Sequence, residues 1–252
     1  MRTYNYLTVL LVVLIVAACF PPLVFAGNVC KTVDIDFLSR HLNIPQHTSI
    51  ASRVPVNGLC QVILNINGRY FTAYASDDNF VILGKMYSNQ AILDSAELSN
   101  LQQSNFVKVK PGLDKCVAIN YKPRGNVENV VYMVTDPLCP YCNTATGQIK
   151  KFADNHNIEL KIAFFSVHGA AGDKKAVEAV CRNFTLSEYM QDDWKKGNGE
   201  KYQCEKGKAL IKKTRPLARD LHIQGVPIFF LQDGTQVVGA NMARFEKVLR
   251  KQ

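Results

Sequence analysis

The 252-residue sequence contains no internal repeat and no low-complexity tract, and its 30 Lys and Arg residues form no long run. Only short groups occur, such as Lys195-Lys196 and Lys212-Lys213. No zinc-finger, basic-zipper or RNA-recognition signature accompanies them, so the formal charge of +9 reads as a solvated basic surface and no nucleic-acid partner is expected. At 47% hydrophobic and 20% charged residues the chain is neither disordered nor fibrous, and its length suits one large domain or two small ones. Charge is also missing from the first 26 residues, where Arg2 stands alone. A nearly unbroken apolar run from Leu7 to Ala18 follows it, and Val24-Phe25-Ala26 offers small residues for a signal peptidase. This order reads as a secretory signal peptide over residues 1–26, cut after Ala26. Lipidation of Cys19 in Val16-Ala17-Ala18-Cys19, or retention of the segment as an N-terminal anchor, are the alternatives.

Export sets the redox context, because disulfides persist outside the cytoplasm. Of the 8 cysteines, loss or lipidation of Cys19 leaves Cys30, Cys60, Cys116, Cys139, Cys142, Cys181 and Cys204. That odd number requires at least one thiol to stay free or to pair between chains. Cys181 and Cys204 flank a Gly/Lys-rich segment and read as a structural bridge, with metal binding as the weaker reading. Cys30 and Cys60 both belong to a small N-terminal unit, and a bridge there closes a loop of about 30 residues, worth roughly 3–4 kcal/mol in the chain-entropy model. Cys116 is then the spare thiol, either free or bridging the two connectors of a dimer.

The pattern along the chain is α+β. Residues 27–90 read as a small unit with a helix over 34–42 and three antiparallel strands. Gln61 to Ile66 and Arg69 to Ala75 are joined by the hairpin signal Asn67-Gly68, and Asp77-Asp78-Asn79 turns into Phe80 to Leu83. One helix and three strands make a thin core, which points to a partner surface such as a second copy. Residues 91–124 read as a linker, with a helix near Ala91 to Gln102 and breakers at Pro111-Gly112 and Pro123-Arg124-Gly125. From residue 125 to 252 strands and helices alternate. Val130 to Val134 is a buried strand, 143–156 a helix, and 158–165 a strand. Helices around 174–189 and 208–222 come next, then a hairpin over 228–238 and a last helix through Phe245 and Leu249. This is the thioredoxin order with a helical insertion.

Cys139-Pro140-Tyr141-Cys142 stands where the first of these strands gives way to a helix. Pro140 suits the first helical position, which needs no backbone donor. Cys139 is thereby set at the helix N-terminus, facing unpaired N–H groups and the positive end of the macrodipole, an arrangement that favours a thiolate. Cys142, one turn inward on the same face, is placed to attack a mixed disulfide formed at Cys139 and release the substrate. Cys139 is therefore the expected nucleophile and Cys142 the resolving thiol. Half of a zinc site is the competing reading, but no second CxxC or HxxxH supplies the other ligands, and neither metal nor cofactor is expected. A structural bridge is the other, yet so short a loop stabilises little.

With these residues in view, the sequence resembles the DsbC/DsbG family of periplasmic disulfide isomerases over nearly all of residues 27–252. The likeness lies in Val56-Asn57-Gly58, Gly84-Lys85-Met86-Tyr87, Tyr121-Lys122-Pro123 and Thr135-Asp136-Pro137-Leu138-Cys139-Pro140-Tyr141-Cys142, together with the Cys181/Cys204 spacing and the proline of Gly225-Val226-Pro227. The resemblance implies an N-terminal dimerisation domain, a helical linker and paired catalytic domains in a homodimer. It also implies a cis Pro227 packed beside Cys139 that, with Val226, Pro140 and Tyr141, helps to present substrate backbone. Disulfide-containing exported proteins would be the substrates, a membrane thiol reductase of the DsbD type the electron donor, and Cys181–Cys204 a structural disulfide. Pro140-Tyr141 is the dipeptide of the DsbG branch, and Val226 stands where isomerases usually carry threonine and DsbA oxidases valine. An isomerase or reductase is the leading expectation. A DsbA-like oxidase, a DsbG-like reductase of oxidised cysteines, and a non-enzymatic dimeric holdase chaperone are the alternatives.

Overall fold

The computed structural model describes residues 29–66, 69–76, 80–88, 91–92, 95–197 and 199–250. The expected signal peptide, with Cys19, and the turn residues Asn67-Gly68 and Asp77-Asp78-Asn79 lie outside them. The chain forms two compact units that divide between Lys85 and Met86. Among the described residues no helix is long and apolar enough to cross a membrane.

Among the described residues the first unit is one helix on a four-stranded antiparallel meander. Helix α1 (Ile35–His41) starts at Asp34, whose carboxylate accepts from the Phe37 N–H at 2.7 Å. Strands β1 (Thr48–Val56), β2 (Leu59–Ile66), β3 (Arg69–Ala75) and β4 (Val81–Leu83) pair in sequence order. Alternate residues of the two central strands, Cys60, Val62 and Leu64 with Ala73 and Ala75, meet Val33, Phe37 and Leu38 in the core. Ile66 faces Arg69, the register that an Asn-Gly hairpin predicts. Strand β1 is absent from the sequence reading. Ser49, Ser52, Arg53 and Pro55 hide its alternation, and an edge strand tolerates them because one side of its backbone needs no sheet partner. Its turn into β2 uses Asn57 at φ 49° and Gly58 at φ 80°, the two successive left-handed positions of a tight hairpin.

The second unit opens with a short ribbon, β5 (Tyr87–Ser88) and β6 (Ala91–Ile92), and helix α2 (Ser95–Asp114). Its sheet contains β7 (Ile119–Tyr121), β8 (Asn129–Thr135), β9 (Ile158–Phe164), β10 (Ile228–Phe230) and β11 (Gln236–Val238), in the order β11-β10-β8-β9-β7. Only β8 and β9 run parallel, joined through helix α3 (Pro140–Asn155); the other pairings are antiparallel. Helices α4 (Gly169–Cys181), α5 (Leu186–Tyr189) and α6 (Glu205–Asp220) lie between β9 and β10, and α7 (Met242–Leu249) ends the unit. Alternation along β8 builds two cores. Val131 and Met133 join Ile149, Phe229 and Phe245 on one face, while Tyr132 and Val134 join Phe106, Leu113, Ala218 and Phe230 on the other.

Three expectations are corrected. Residues 91–124 are no linker, since Phe106 and Leu113 of α2 are core and β7 is an edge strand of the second unit's sheet. Helix α2 runs through Pro111-Gly112 at the cost of the Pro111 helical hydrogen bond, because Phe106 and Leu113 on either side are held in the core. A Cβ at Gly112 would come within 2.8 Å of Leu217 Cδ2 on α6, so that side chain would have to shift to accept one. The helix expected over 174–189 is two helices, broken where Asn183 turns left-handed at φ 52° and Thr185 recaps with Glu188 in a capping box.

Candidate functional site

The register of the second sheet decides what meets at its edge. Thr135 at the end of β8 pairs with Phe164 at the end of β9, so the loops leaving these parallel strands run side by side. Ile228 pairs with Val134, which brings the preceding residues Val226 and Pro227 level with the loop that leads into α3. Cys139 caps α3 with extended backbone (φ −81°, ψ 118°), and Pro140 is the first helical residue. The Cys139 N–H donates to Asp136 O at 3.1 Å, and the Cys139 carbonyl accepts from Asn143 N–H at 3.1 Å. The thiol of Cys139 lies 3.8 Å from the Val226 carbonyl oxygen. The Val226–Pro227 peptide bond is cis.

The two sulfurs differ in access. Cys139 is 6% exposed and Cys142 0%, while Tyr141 between them stands out at 75%. Burial pushes the Cys142 thiol up to about 12; the Thr135 hydroxyl and the Asp136 backbone oppose the shift, and Cys139 adds to it. Cys142 is therefore held protonated beside a partner that is itself buried but not fully enclosed. Both are free thiols, as is buried Cys116. Of the other predicted site residues, Pro140 is exposed, Val226 half-buried and Pro227 buried. Cys30–Cys60 and Cys181–Cys204 are disulfides and contribute nothing to the dithiol.

Four neighbours of the dithiol escaped the sequence reading of the site: Thr135, Asp136, His168 and Tyr189. Asp136 is fully buried. Its Oδ1 accepts from Leu138 N–H at 2.8 Å, and its Oδ2 accepts from Val167 N–H at 2.8 Å and His168 N–H at 3.2 Å. Ser166 Oγ at 3.1 Å and His168 Nδ1 at 2.8 Å complete the set. This carboxylate clamps the loop before Cys139 onto the loop after β9. An acidic residue between a buried strand and a CxxC is a signal that could have found it. Tyr189 carries no such signal, lying 47 residues beyond Cys142 in the helical insertion.

A dithiol opening a helix that follows a central strand, on this five-stranded frame, defines the class: a thioredoxin-fold thiol–disulfide oxidoreductase. The chain belongs to the family described as a thioredoxin-like domain, which matches residues 119–252. Among solved structures it is similar to the thiol–disulfide exchange protein α-DsbA2 of Wolbachia pipientis, at 18% identity and a TM-score of 0.51, covering 63% of this chain and 100% of that one. A linker-deleted ScsC variant from Proteus mirabilis gives 19% identity and a TM-score of 0.51, covering 62% and 84%. At these identities the likeness shows the fold alone. No curated protein matches the chain.

Proposed function

We propose that the protein reduces and isomerises disulfides of exported proteins, with Cys139 as nucleophile and Cys142 as resolving thiol. The asymmetry of the two thiols is the observation that carries this reading: Cys139 caps the helix and retains some exposure, 6% against 0%, while Cys142 is sealed and held as a thiol. Cys139 attacks a substrate disulfide, forming a Cys139–substrate disulfide and expelling one substrate thiolate. Either another substrate thiol then attacks, completing isomerisation, or Cys142 attacks Cys139 and the substrate leaves reduced. The Val226 carbonyl beside Cys139, with Pro227, Pro140 and Tyr141, frames the substrate backbone. After each reduction a membrane thiol reductase of the DsbD type restores the dithiol.

Two disulfides within the chain support an oxidising compartment, in keeping with export to the periplasm by the N-terminal segment. A homodimer through the first unit is supported by that unit's thin core and by Phe71, Phe80, Ile82 and Leu83, which stand 38–56% exposed. Assay of scrambled-disulfide substrate tests the reading. Wild type should restore activity to the substrate and Cys139→Ser should not, while sedimentation at micromolar concentration should give a dimer. Equal turnover by Cys139→Ser would leave only the holdase activity, and a monomer would remove the homodimer from the reading.

A further inference from the structure

Resolution, as proposed above, leaves one requirement without a provider. Cys142 must become a thiolate before it attacks Cys139, yet at 0% exposure no bulk water solvates the charge. Two hydroxyls share its pocket. Thr135, the last residue of β8, is fully buried with its Oγ1 against the Cys142 sulfur. Tyr189, the last residue of α5, is 1% exposed with its hydroxyl beside that of Thr135. Although these groups are neighbours, neither hydroxyl has a well-aligned hydrogen-bond partner among the described residues. Buried unpaired hydroxyls are rare in native proteins, and two side by side behind a reactive thiol call for a reason.

The tyrosine cannot swing away to find a partner. Its ring centroid lies 5.3 Å from that of Phe164 and 5.8 Å from that of Trp194, and Lys195 Nζ sits 5.3 Å from it. Trp194 Nε1 also donates to the Tyr189 carbonyl at 3.1 Å, and Lys195 Nζ to Asn143 Oδ1 at 2.8 Å, tying this stretch to α3 just past Cys142. Burial raises the pKa of Tyr189, so it remains a phenol with a proton to share. A rigid donor facing a neutral thiol gains little; facing a thiolate it makes a charge-assisted bond.

We infer that Thr135 and Tyr189 are positioning residues for the resolving thiol: as Cys142 becomes a thiolate the Thr135 O–H turns onto its sulfur, and the Tyr189 O–H behind it turns onto the Thr135 oxygen. The inference rests on the dithiol reading above. In the step, the Cys142 S–H bond breaks and Cys142 Sγ bonds to Cys139 Sγ. The bond from Cys139 to the substrate sulfur breaks, and its electron pair leaves with that sulfur. The leaving thiolate takes up one proton for the one Cys142 gave, the protein dithiol is oxidised, and the substrate disulfide is reduced. Both hydroxyls keep their protons throughout.

The helical insertion thus reaches the chemistry through one side chain. Stopped-flow reaction of the reduced full chain with dithiobis-nitrobenzoate separates the two steps, because each releases one coloured thiolate. Attack by Cys139 gives a phase that scales with reagent concentration, and resolution by Cys142 gives one that does not. Tyr189→Phe should slow the second phase about threefold to tenfold and Thr135→Val about tenfold or more, the loss of a hydrogen bond to a charged group. Thr135→Ser, which keeps the hydroxyl, should stay within about twofold of wild type. The melting temperature of Tyr189→Phe should not fall, since it loses only an unpaired hydroxyl. An unchanged second phase in Tyr189→Phe and Thr135→Val overturns the inference alone. So does equal slowing of both phases with a lowered melting temperature, which marks a packing role. A wild type whose CxxC releases only one coloured thiolate, counted against Cys142→Ala, overturns the dithiol reading, and this inference with it.

Discussion

The sharpest consequence of the site geometry is the silence of Cys142 toward solvent reagents. Its thiol is pushed from an ordinary value of 9.0 up to about 12, with burial the largest cause. At pH 8 an ordinary thiol is about one-tenth ionised, whereas Cys142 would be about one ten-thousandth, so alkylation should be roughly a thousandfold slower. The perturbation that isolates it is Cys139→Ser with Cys116→Ala, which leaves Cys142 as the only free thiol among the described cysteines. Removing the Cys139 sulfur takes away a smaller raising influence, and the burial remains. Iodoacetamide labelling from pH 6 to pH 11, read by mass spectrometry, should rise steeply only above about pH 10 and show no plateau near 9. Labelling of the same variant in urea provides the exposed reference. A midpoint near 9 in the folded protein, or a rate at pH 8 within about tenfold of the unfolded reference, would refute the reasoning.

Two further outcomes concern what holds the second unit together. Asp114 at the end of α2 accepts from Tyr132 Oη at 2.6 Å, Lys161 Nζ at 2.7 Å and Lys110 Nζ at 3.2 Å. Burial opposes its charge, but these donors outweigh it and hold the carboxyl at about 2, below its ordinary 3.8. A depressed carboxyl contributes stability above its unfolded value and loses it as the pH falls toward the folded one. Because the side chain is 32% exposed, the contribution is discounted for screening to about 1 kcal/mol. Asp114→Asn should therefore cost about 1 kcal/mol in urea unfolding at pH 7 and distinctly less at pH 3; an equal cost at both would rule out the charge as its source. The Cys181–Cys204 bridge spans 23 residues, for which chain entropy gives about 3 kcal/mol. Cys181→Ala with Cys204→Ala should lower the unfolding free energy by that amount, and a loss under about 1 kcal/mol would show that the insertion does not depend on it.

What the sequence made legible was whatever a local rule governs. The strand before Cys139 and the helix after it are written in an apolar run, a proline at the first helical position and a helical spacing of Ala145, Ile149 and Ala153. The bridge between Cys30 and Cys60 could be reasoned from thiol count and a small core. What escaped depends on partners distant in the chain. Strand β1 carries mostly exposed side chains, so its only identity is the register with β2. Helix α2 looked like a connector because Pro111-Gly112 is a local stop signal, but packing of Phe106 and Leu113 under β8 overrides it. Tyr189 reads from sequence as one more apolar residue of a helix; only the fold turns its hydroxyl toward the dithiol.

That contrast bears on where the constraint on function lies. The CxxC motif supplies sulfur and a helix start, but the surroundings that separate a less enclosed thiol from a sealed one come from three other stretches. Parallel pairing of Thr135 with Phe164 lets Asp136 collect its donors from Ser166, Val167 and His168. Antiparallel pairing of Ile228 with Val134 sets the Val226 carbonyl beside Cys139. A slip of β10 by one residue would exchange Phe229, which belongs to the core under α3 and α7, with Ile228 and Phe230, which belong to the core under α2 and α6. Both cores would be misfilled, and Val226 would move about 3.4 Å along the sheet, a full residue from its place beside the sulfur. The apolar run Ile228-Phe229-Phe230, whose side chains enter the two cores in alternation, thus has two effects at once. It seals the two faces of the sheet, and by fixing the register it holds the backbone group that flanks the Cys139 thiol. The geometry of the dithiol is in this sense a property of the sheet, and substitutions in β10 that touch neither cysteine act on it through register.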